Sequence, residues 1–483
     1  MIKPCLSKMF FLTQESASSS HLPTSEPEAE ASSSSESQAP RKKSCSSSHF
    51  VITSASEKEH LTDQWARAFF KNRIPFSVAN DPEFKKAMEM MRPGVGDQLL
   101  SRKRLAGPCL DKEYDKIDGQ MRNSLQGKEV VMSQDGWSNV NREPIIASCL
   151  HVPGHSFLHD AIDVGDVTKD AEYCADLAKK SMESAEEKYG CKVIGFVSDN
   201  ENKMLRVRSI LEEWRGKTFI AYGCSAHYLN LVQAEATPPQ VKGQLVEVQK
   251  FFRNHQRPAA QLKIKGGKSP QLPNETRWLS HREFLETFLY NYQFYLDICD
   301  EDSCVIPPNI KRILNNRQIK EGANHMLSQL NMVSQSLNLL QSDSSNLGDA
   351  TNTWLMLSSS QALTDELKEA VQARMENAIT PFHMLAKMLL NRAGWEQLPI
   401  RMKEAAMKLL LELDPSFPGI MAAFETEDDT LFPASAFMQS IKEVLEPIKY
   451  WQYIAKNTEM EPVQKFCQLA IRVLSCPTSS AGD

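Results

Sequence analysis

Short apolar runs separated by polar turns dominate the stretch from Val130 to Val164. The runs read VVMSQD, IIASCLHV and FLHDAIDV, and the connections between them contain Asn139 and the pair Pro153-Gly154. Runs of this length bounded by turn-forming residues predict β-strands, and two short connections predict an antiparallel meander of three strands.

Helix and strand patterns alternate immediately after the meander. The spacing of apolar residues predicts a helix over 171–189, a strand over 192–197, a helix over 203–214 and a strand over 219–222. The order β-β-β-α-β-α-β is similar to that of the ribonuclease-H-like fold, a mixed sheet in which the fourth strand lies parallel to the first and beside it. The fold class that we expect is therefore mixed, α+β or α/β.

Segments of different character flank this core, which is predicted to span residues 128–226. Residues 1–60 include a long stretch of Ser, Glu and Pro that has almost nothing to bury, which predicts a disordered tail. Apolar residues at helical spacing predict a helical entry domain over 61–127, an all-helical insertion domain over 227–430 and further helices over 431–483. Pro75 and Pro82 are expected to divide the entry segment.

The composition indicates a soluble, intracellular protein. A hydrophobic fraction of 41% and a charged fraction of 24% are ordinary for a globular chain, and a net charge of -6 still permits local basic patches. Eleven cysteines without a framework spacing predict reduced thiols, and no apolar run reaches the roughly 18 residues of a membrane span. A nuclear location is expected; the basic cluster Arg41-Lys42-Lys43 is either an import signal or solvated charge.

The apolar runs VVMSQD and VIGFVSD each end on an aspartate, Asp135 and Asp199. Because a charge at the end of a buried strand is unfavourable unless it is used, and because strands one and four are expected to be neighbours, the two carboxylates should face one another. Such a pair suits Mg²⁺ or Mn²⁺ in phosphodiester chemistry. The alternative is that Asp199 caps the next helix and that Asp135 forms a turn with Gly136.

Cys224 and His227 have the spacing of half a zinc site. No second pair supports it at a suitable distance, since Cys299 and Cys304 are separated by four residues. The preferred interpretation is a buried structural pair near strand five.

Residues 250–282 form a basic island with eight Lys or Arg residues and a single acid, Glu275. Its Gly-rich part carries Lys263, Lys265 and Lys268, groups suited to phosphate contact on a loop. It ends in NETRW, where an aromatic side chain could stack on an unpaired base. A merely solvated loop is the alternative.

Four motifs taken together resemble the hAT transposase superfamily: SQDGWSN, VSDNENKM, CSAHYLNL and NETRW, in this order and at these distances. The resemblance covers roughly residues 61–483 and extends to the entry segment SRKRLAGPCLDKEYDK. It implies a ribonuclease-H-like core interrupted by a large helical insertion, and it implies that Cys224 and His227 match the CxxH motif of the family.

The resemblance also implies roles for the site residues. Asp135 and Asp199 would be the first two acids of the DDE triad, and Trp278, with Arg277 beside it in the motif, would be the Trp that handles the flipped base and hairpin during cleavage. The chain stops at Asp483, where the third acid, a Glu, would come next. Two of three acids are therefore expected.

We therefore expect a hAT transposase-like protein that is inactive as an enzyme, binds DNA and self-associates through its C-terminal helices, with no membrane partner. One alternative is a fragment of an active DDE transposase that cleaves DNA with Mg²⁺ or Mn²⁺. A second alternative is a helical interaction scaffold with no nucleic-acid role.

Overall fold

The computed structural model of the protein describes residues 54–91, 100–139, 141–236, 238–274, 280–301, 304–390, 398–438, 441 and 444–480. The chain divides into two compact units, with the boundary between Ser124 and Leu125. No helix in the described ranges is long and apolar enough to cross a membrane.

The first unit is helical. Its longer helices are α1 (Ala55–Lys71), α2 (Pro82–Met91) and α3 (Leu110–Leu125), with short turns of helix at Phe76–Asn80 and Arg102–Arg104. Phe69 and Leu105 are completely buried in its core. The helical segment before α3 is kinked: Gly107 has a non-helical backbone, with φ of -124° and ψ of -105°, and Pro108 follows it.

Helix α1 begins before Leu61, where order was expected to start. Ser54 and Glu57 form a capping box in which the Glu57 N–H donates to Ser54 Oγ at 3.2 Å and the Ser54 N–H donates to Glu57 Oε2 at 2.8 Å. The cap starts the helix in a stretch too polar for apolar spacing to reveal it, so the predicted tail is wrong for residues 55–60. Residues 1–53 lie outside the described residues.

The second unit contains a mixed five-stranded sheet, as the sequence predicted. The strands are β1 (Glu129–Ser138), β2 (Pro144–Val152), β3 (His155–Asp163), β4 (Lys192–Ser198) and β5 (Ile220–Gly223), in the spatial order β3-β2-β1-β4-β5. Strands β1, β2 and β3 pair antiparallel, whereas β4 is parallel to both β1 and β5. Helices α4 (Ala171–Tyr189) and α5 (Asn202–Arg215) provide the crossovers that parallel strands require.

Strand β1 is longer than expected. The prediction ended it at Asp135, but it continues to Ser138 because its outer residues keep pairing with β2, from Asp135 opposite Ala147 to Ser138 opposite Pro144. Its parallel pairing with β4 ends earlier, at Gln134 opposite Ser198.

Helices make up the rest of the second unit, and the described residues of 227–430 contain no strand. The first of these helices are α6 (Ser225–Glu235), α7 (Pro239–Asn254), α8 (Gln256–Ile264), α9 (Ser280–Asp300), α10 (Pro308–Leu314) and α11 (Arg317–Leu340). The others are α12 (Leu347–Ser359), α13 (Asp365–Ala378), α14 (Pro381–Leu390), α15 (Ile400–Leu413), α16 (Phe417–Glu425), α17 (Pro447–Lys456) and α18 (Glu461–Leu474).

Two clusters of buried apolar side chains hold these helices together. One cluster is built from α7 to α10 and the first half of α11, between Leu245 and Leu330. The other joins the sheet, through residues such as Val131 and Val197, to the end of α11 and to the later helices up to Cys476. The sheet therefore shares a core with the C-terminal helices, while the domain limits given above stay a prediction.

Candidate carboxylate site at the edge shared by β1 and β4

Asp135 and Asp199 lie at the same edge of the sheet. Gln134 of β1 is opposite Ser198 of β4 in the parallel ladder, so each Asp is the next residue after a paired position. The carboxyl ends of adjacent parallel strands meet at one edge, and the two side chains line a single cavity of about 180 Å³. The sequence predicted this juxtaposition.

Neither aspartate has the structural role that was the alternative to metal binding, a turn for Asp135 and a helix cap for Asp199. Asp135 lies within β1, where the Gly136 N–H donates to its Oδ1 at 2.8 Å, and not in a turn. Helix α5 has Glu201, not Asp199, as its N-cap residue. The Glu201 N–H donates to Asp199 Oδ1 at 3.3 Å, which orients the carboxylate without making it the cap.

A buried arginine braces the end of β4. Arg208 of α5 is 7% exposed, and its Nη1 donates at 2.9 Å both to Ser198 Oγ and to the carbonyl oxygen of Asp199. Asn200 adds a second tie, because its Nδ2 donates to the Cys224 carbonyl oxygen at 2.8 Å. These bonds fix the backbone from which the Asp199 side chain projects.

The environment of the cavity raises the pKa of both aspartates above the ordinary value. Partial removal of the carboxyl group from water is the largest cause for Asp135, an otherwise exposed residue, and the charge of Asp199 adds to it. Loss of water is again first for Asp199, followed by the charge of Glu201. His227 acts in the opposite direction on both groups. A bound cation would reduce this repulsion between the carboxylates.

The two aspartates fit a divalent metal ion in a limited sense. Mg²⁺ prefers oxygen ligands and is commonly held by one or two carboxylates together with substrate phosphates. Among the described residues, no group of three or more His, Cys, Asp and Glu side chains could hold a metal ion. Glu201 also lines the cavity but does not complete such a group, so Asp135 and Asp199 would be the protein ligands.

Cys224 and His227 occupy the start of α6, next to β5. Cys224 is completely buried and is the N-cap of α6, where its Sγ accepts from the His227 N–H at 3.4 Å. The same sulfur accepts from the Ser480 N–H at 3.4 Å. This geometry is that of a buried structural residue rather than half of a zinc site.

The three lysines of the basic island have different surroundings. Lys263 is exposed at the end of α8, whereas Lys265 forms an ion pair with Glu301. The Lys268 ammonium lies 4.3 Å from the ring centroid of Tyr290, an exposed aromatic residue of α9 that sequence reasoning did not single out. Arg277 and Trp278 lie outside the described residues.

Several residues that line the carboxylate cavity were also missed. Two of them are positively charged: Lys169, in the loop before α4, and Lys203, in the first turn of α5. Trp137 adds an aromatic side chain to the lining. Lys203 and Trp137 each stand within a few residues of an Asp of the site, which was a usable signal, but nothing in the sequence marks Lys169. A larger cavity of about 380 Å³ lies near the amino-terminal end of β3, around His151 and Ser156, and neither aspartate lines it.

Comparison with known families gives one match in the region of the sheet. A family model described as a domain of unknown function, DUF659, matches residues 100–250, less than a third of the chain. The matched segment contains all five strands, and the domain is characteristic of hAT-like, transposase-related families. The search of curated proteins finds no match.

Proposed function

We propose that the protein is a hAT transposase-like DNA-binding protein, and that residues 1–483 alone bind DNA without cutting it. The observation that supports the proposal most directly is the parallel register of β1 and β4, which brings Asp135 and Asp199 into one cavity. The DUF659 match over the same strands agrees with a transposase-related origin.

Asp135 and Asp199 would hold Mg²⁺ or Mn²⁺ at this edge of the sheet. When bound, the ion would supply Lewis-acid activation of a phosphodiester. The protein itself contributes fixed carboxylates, because Arg208 and the Glu201 N–H hold the Asp199 segment in place. Two protein carboxylates provide a minimal site, which is why we propose binding without cleavage.

Self-association through α17 and α18 is part of the proposal, with a constraint. Trp451 and Phe466 are at most 1% exposed, and Trp451 Nε1 donates to the Leu389 carbonyl oxygen at 2.9 Å. These large apolar side chains stabilise the protein's own core, so a second copy would have to contact the outward-facing residues of the two helices. Light scattering after size-exclusion chromatography would measure the mass directly, and a monomer at all concentrations would contradict this part.

The test of the main proposal combines DNA binding and DNA nicking with Mg²⁺ or Mn²⁺. The variants are Asp135→Asn and Asp199→Asn, and the matched control is Asp429→Asn, which removes an exposed carboxylate outside the cavity. We expect metal to strengthen DNA binding by the unaltered chain and by Asp429→Asn but not by the two site variants, and we expect no nicking.

The remaining outcomes separate the alternatives. Nicking by residues 1–483 that either site variant abolishes would establish an active transposase. Nicking only after addition of Glu-Arg following Asp483 would identify these residues as a fragment of one. No DNA binding under any condition would favour the helical scaffold.

A further inference from the structure

Two lysines line the same cavity as the carboxylates. Lys169 precedes α4 and Lys203 is the second residue of α5, and both line the 180 Å³ space together with Asp135 and Asp199. A cavity lined by carboxylates alone would repel a phosphate, whereas ammonium groups attract it. The lining therefore includes carboxylates suited to a cation, with Glu201 among them, and two ammonium groups suited to an anion.

The backbone on both sides of the cavity is held in place. Asp170, directly after Lys169, caps α4 by accepting from the Tyr173 N–H at 2.8 Å. Lys203 lies in the first turn of α5, which Arg208 ties to the end of β4. Both ammonium groups can thus approach the cavity from rigid positions.

A buried thiol that lines the same cavity supports the placement of the two lysines. Cys174 of α4 is 3% exposed and lines the same cavity. Burial raises the pKa of the Cys174 thiol, while the charges of Lys203 and Lys169 both oppose that rise. Both ammonium groups are thus close enough to act on one atom at the side of the cavity.

The internal partner of Lys203 is one that a ligand could replace. Lys203 Nζ lies 2.7 Å from Glu201 Oε2, but the two side chains are 37% and 56% exposed. Exposed ion pairs of this kind contribute at most about 1 kcal/mol to stability. A phosphate oxygen can therefore take the place of Glu201 at little loss.

We propose that Lys169 and Lys203 bind a phosphodiester group of a nucleic-acid backbone and hold it against Asp135 and Asp199. The assignment rests on the function proposed above and names the residues that contact its substrate. The volume is below the roughly 300 Å³ at which pockets for drug-sized ligands begin, so it suits one backbone phosphate with part of a sugar rather than a base pair. Trp137 lines the same space and could contact an adjoining base.

The experiment measures binding of a fluorescently labelled single-stranded oligonucleotide by the full chain with Mn²⁺, over a series of salt concentrations. The variants are Lys169→Ala, Lys203→Ala and the charge-preserving Lys169→Arg and Lys203→Arg. The matched control is Lys180→Ala, which removes an exposed lysine of α4 outside the cavity. Circular dichroism and thermal unfolding of each variant check that it is folded.

We expect each Ala variant to bind about tenfold more weakly, as loss of one charge-assisted contact predicts. The slope of log K against log salt should fall in magnitude by about 0.7 for each lysine removed, the value for single strands. The Arg variants should retain most of the affinity, and Lys180→Ala should keep both the affinity and the slope of the unaltered chain.

The other outcomes are distinguishable. Unchanged binding by both Ala variants, with metal dependence still lost in Asp135→Asn, would overturn the lysine assignment and leave the proposed function standing. If the unaltered chain binds no DNA, the second probe is inorganic phosphate with Mn²⁺, and its binding is measured by ³¹P NMR. Lysine-dependent phosphate binding would then support the anion site and contradict the DNA function, and no phosphate binding would overturn both.

Discussion

The Tyr222 hydroxyl donates a hydrogen bond to the Pro477 carbonyl oxygen at 2.6 Å, which joins β5 to a segment 255 residues further along the chain. The Ser225 N–H donates to the Thr478 carbonyl oxygen at 3.0 Å beside it. A strand that precedes the long helical stretch is thereby attached to the residues that follow that stretch. This contact brings together two parts of the chain that are separated in sequence by the long helical stretch.

The first prediction concerns that bond. Tyr222→Phe should lower the free energy of unfolding by about 1–2 kcal/mol, because it leaves the part-buried carbonyl oxygen of Pro477 without this donor while keeping the ring in place. Urea denaturation of the full chain measures the change. Tyr290→Phe, at an exposed position, should change stability by less than about 0.5 kcal/mol. Equal effects of the two substitutions would show that the Tyr222 bond contributes nothing specific.

The second prediction concerns the close approach of β4 and β5. A Cβ added at Gly195 would lie 2.7 Å from the Ile220 carbonyl oxygen, a backbone atom that cannot move without shifting the strand. Gly195→Ala should therefore destabilise the protein by about 1–3 kcal/mol. Gly243→Ala in α7, where the new Cβ meets nothing within 4 Å, should instead stabilise it by about 0.5–1 kcal/mol. Thermal unfolding of both variants decides, and stabilisation by Gly195→Ala would contradict the packing.

The closeness of Asp135 and Asp199 could be predicted because it depends on strand order alone. Once β1 and β4 are recognised as parallel neighbours, residues that end their pairing must meet at one edge. The extension of β1 to Ser138 could not be predicted, since it depends on where β2 stops pairing, which no local pattern in β1 records.

The two lysines of the cavity could be predicted only in part. Lys169 and Lys203 come from separate connections and meet only after α4 and α5 have packed on the sheet. In the same way, the sequence shows three lysines in the Gly-rich part of the basic island but does not show that Lys265 forms an ion pair with Glu301. Long-range neighbours of charged residues decide which charges remain available, and a single sequence does not contain them.

The third prediction is a pH dependence from His151, which is 5% exposed. Its ring nitrogens are hydrogen-bonded to Ser133 Oγ and Ser156 Oγ, each at 2.7 Å, and Ser156 Oγ lies 3.5 Å from Asp343 Oδ1. Burial lowers the pKa of His151 from 6.5 to about 4. The unfolded chain therefore binds a proton first as the pH falls, so stability is lost from about pH 6.5 down to about pH 4.

Between about pH 7.5 and about pH 5 this single histidine should reduce the free energy of unfolding by about 2 kcal/mol. His151→Gln should lose correspondingly less stability over the same interval, whatever its stability at the upper pH. His281 and His383, whose pKa values are also lowered by burial, are present in both proteins and cancel in the comparison. Urea denaturation at the two pH values tests this, and parallel losses would mean that His151 is not the titrating group.

The last prediction concerns the Gly-rich loop of the basic island. Asn291 of α9 is completely buried and clamps the loop: its Oδ1 accepts from the Lys268 N–H, and its Nδ2 donates to the Lys268 carbonyl oxygen, both at 2.8 Å. The left-handed backbone of Gly266, with φ of 86°, makes the turn that brings Lys268 to the clamp. One side chain, from a helix more than twenty residues away in sequence, therefore holds the Lys268 backbone of the loop.

Asn291→Ala should remove both bonds, together with the bond from Nδ2 to the Tyr295 hydroxyl oxygen at 3.2 Å, at a loss of about 2–3 kcal/mol in stability. Lys268→Ala keeps those backbone bonds and loses only an exposed cation–π contact, which contributes about 0.5–1 kcal/mol. Trypsin should cut the loop faster in Asn291→Ala than in the unaltered chain, because the clamp no longer limits opening. Lys263 and Lys265 remain as trypsin cleavage sites in both variants. If the loop stayed protected from trypsin in Asn291→Ala but lost that protection in Lys268→Ala, the contact between the ammonium group and the ring, and not the clamp, would hold the loop.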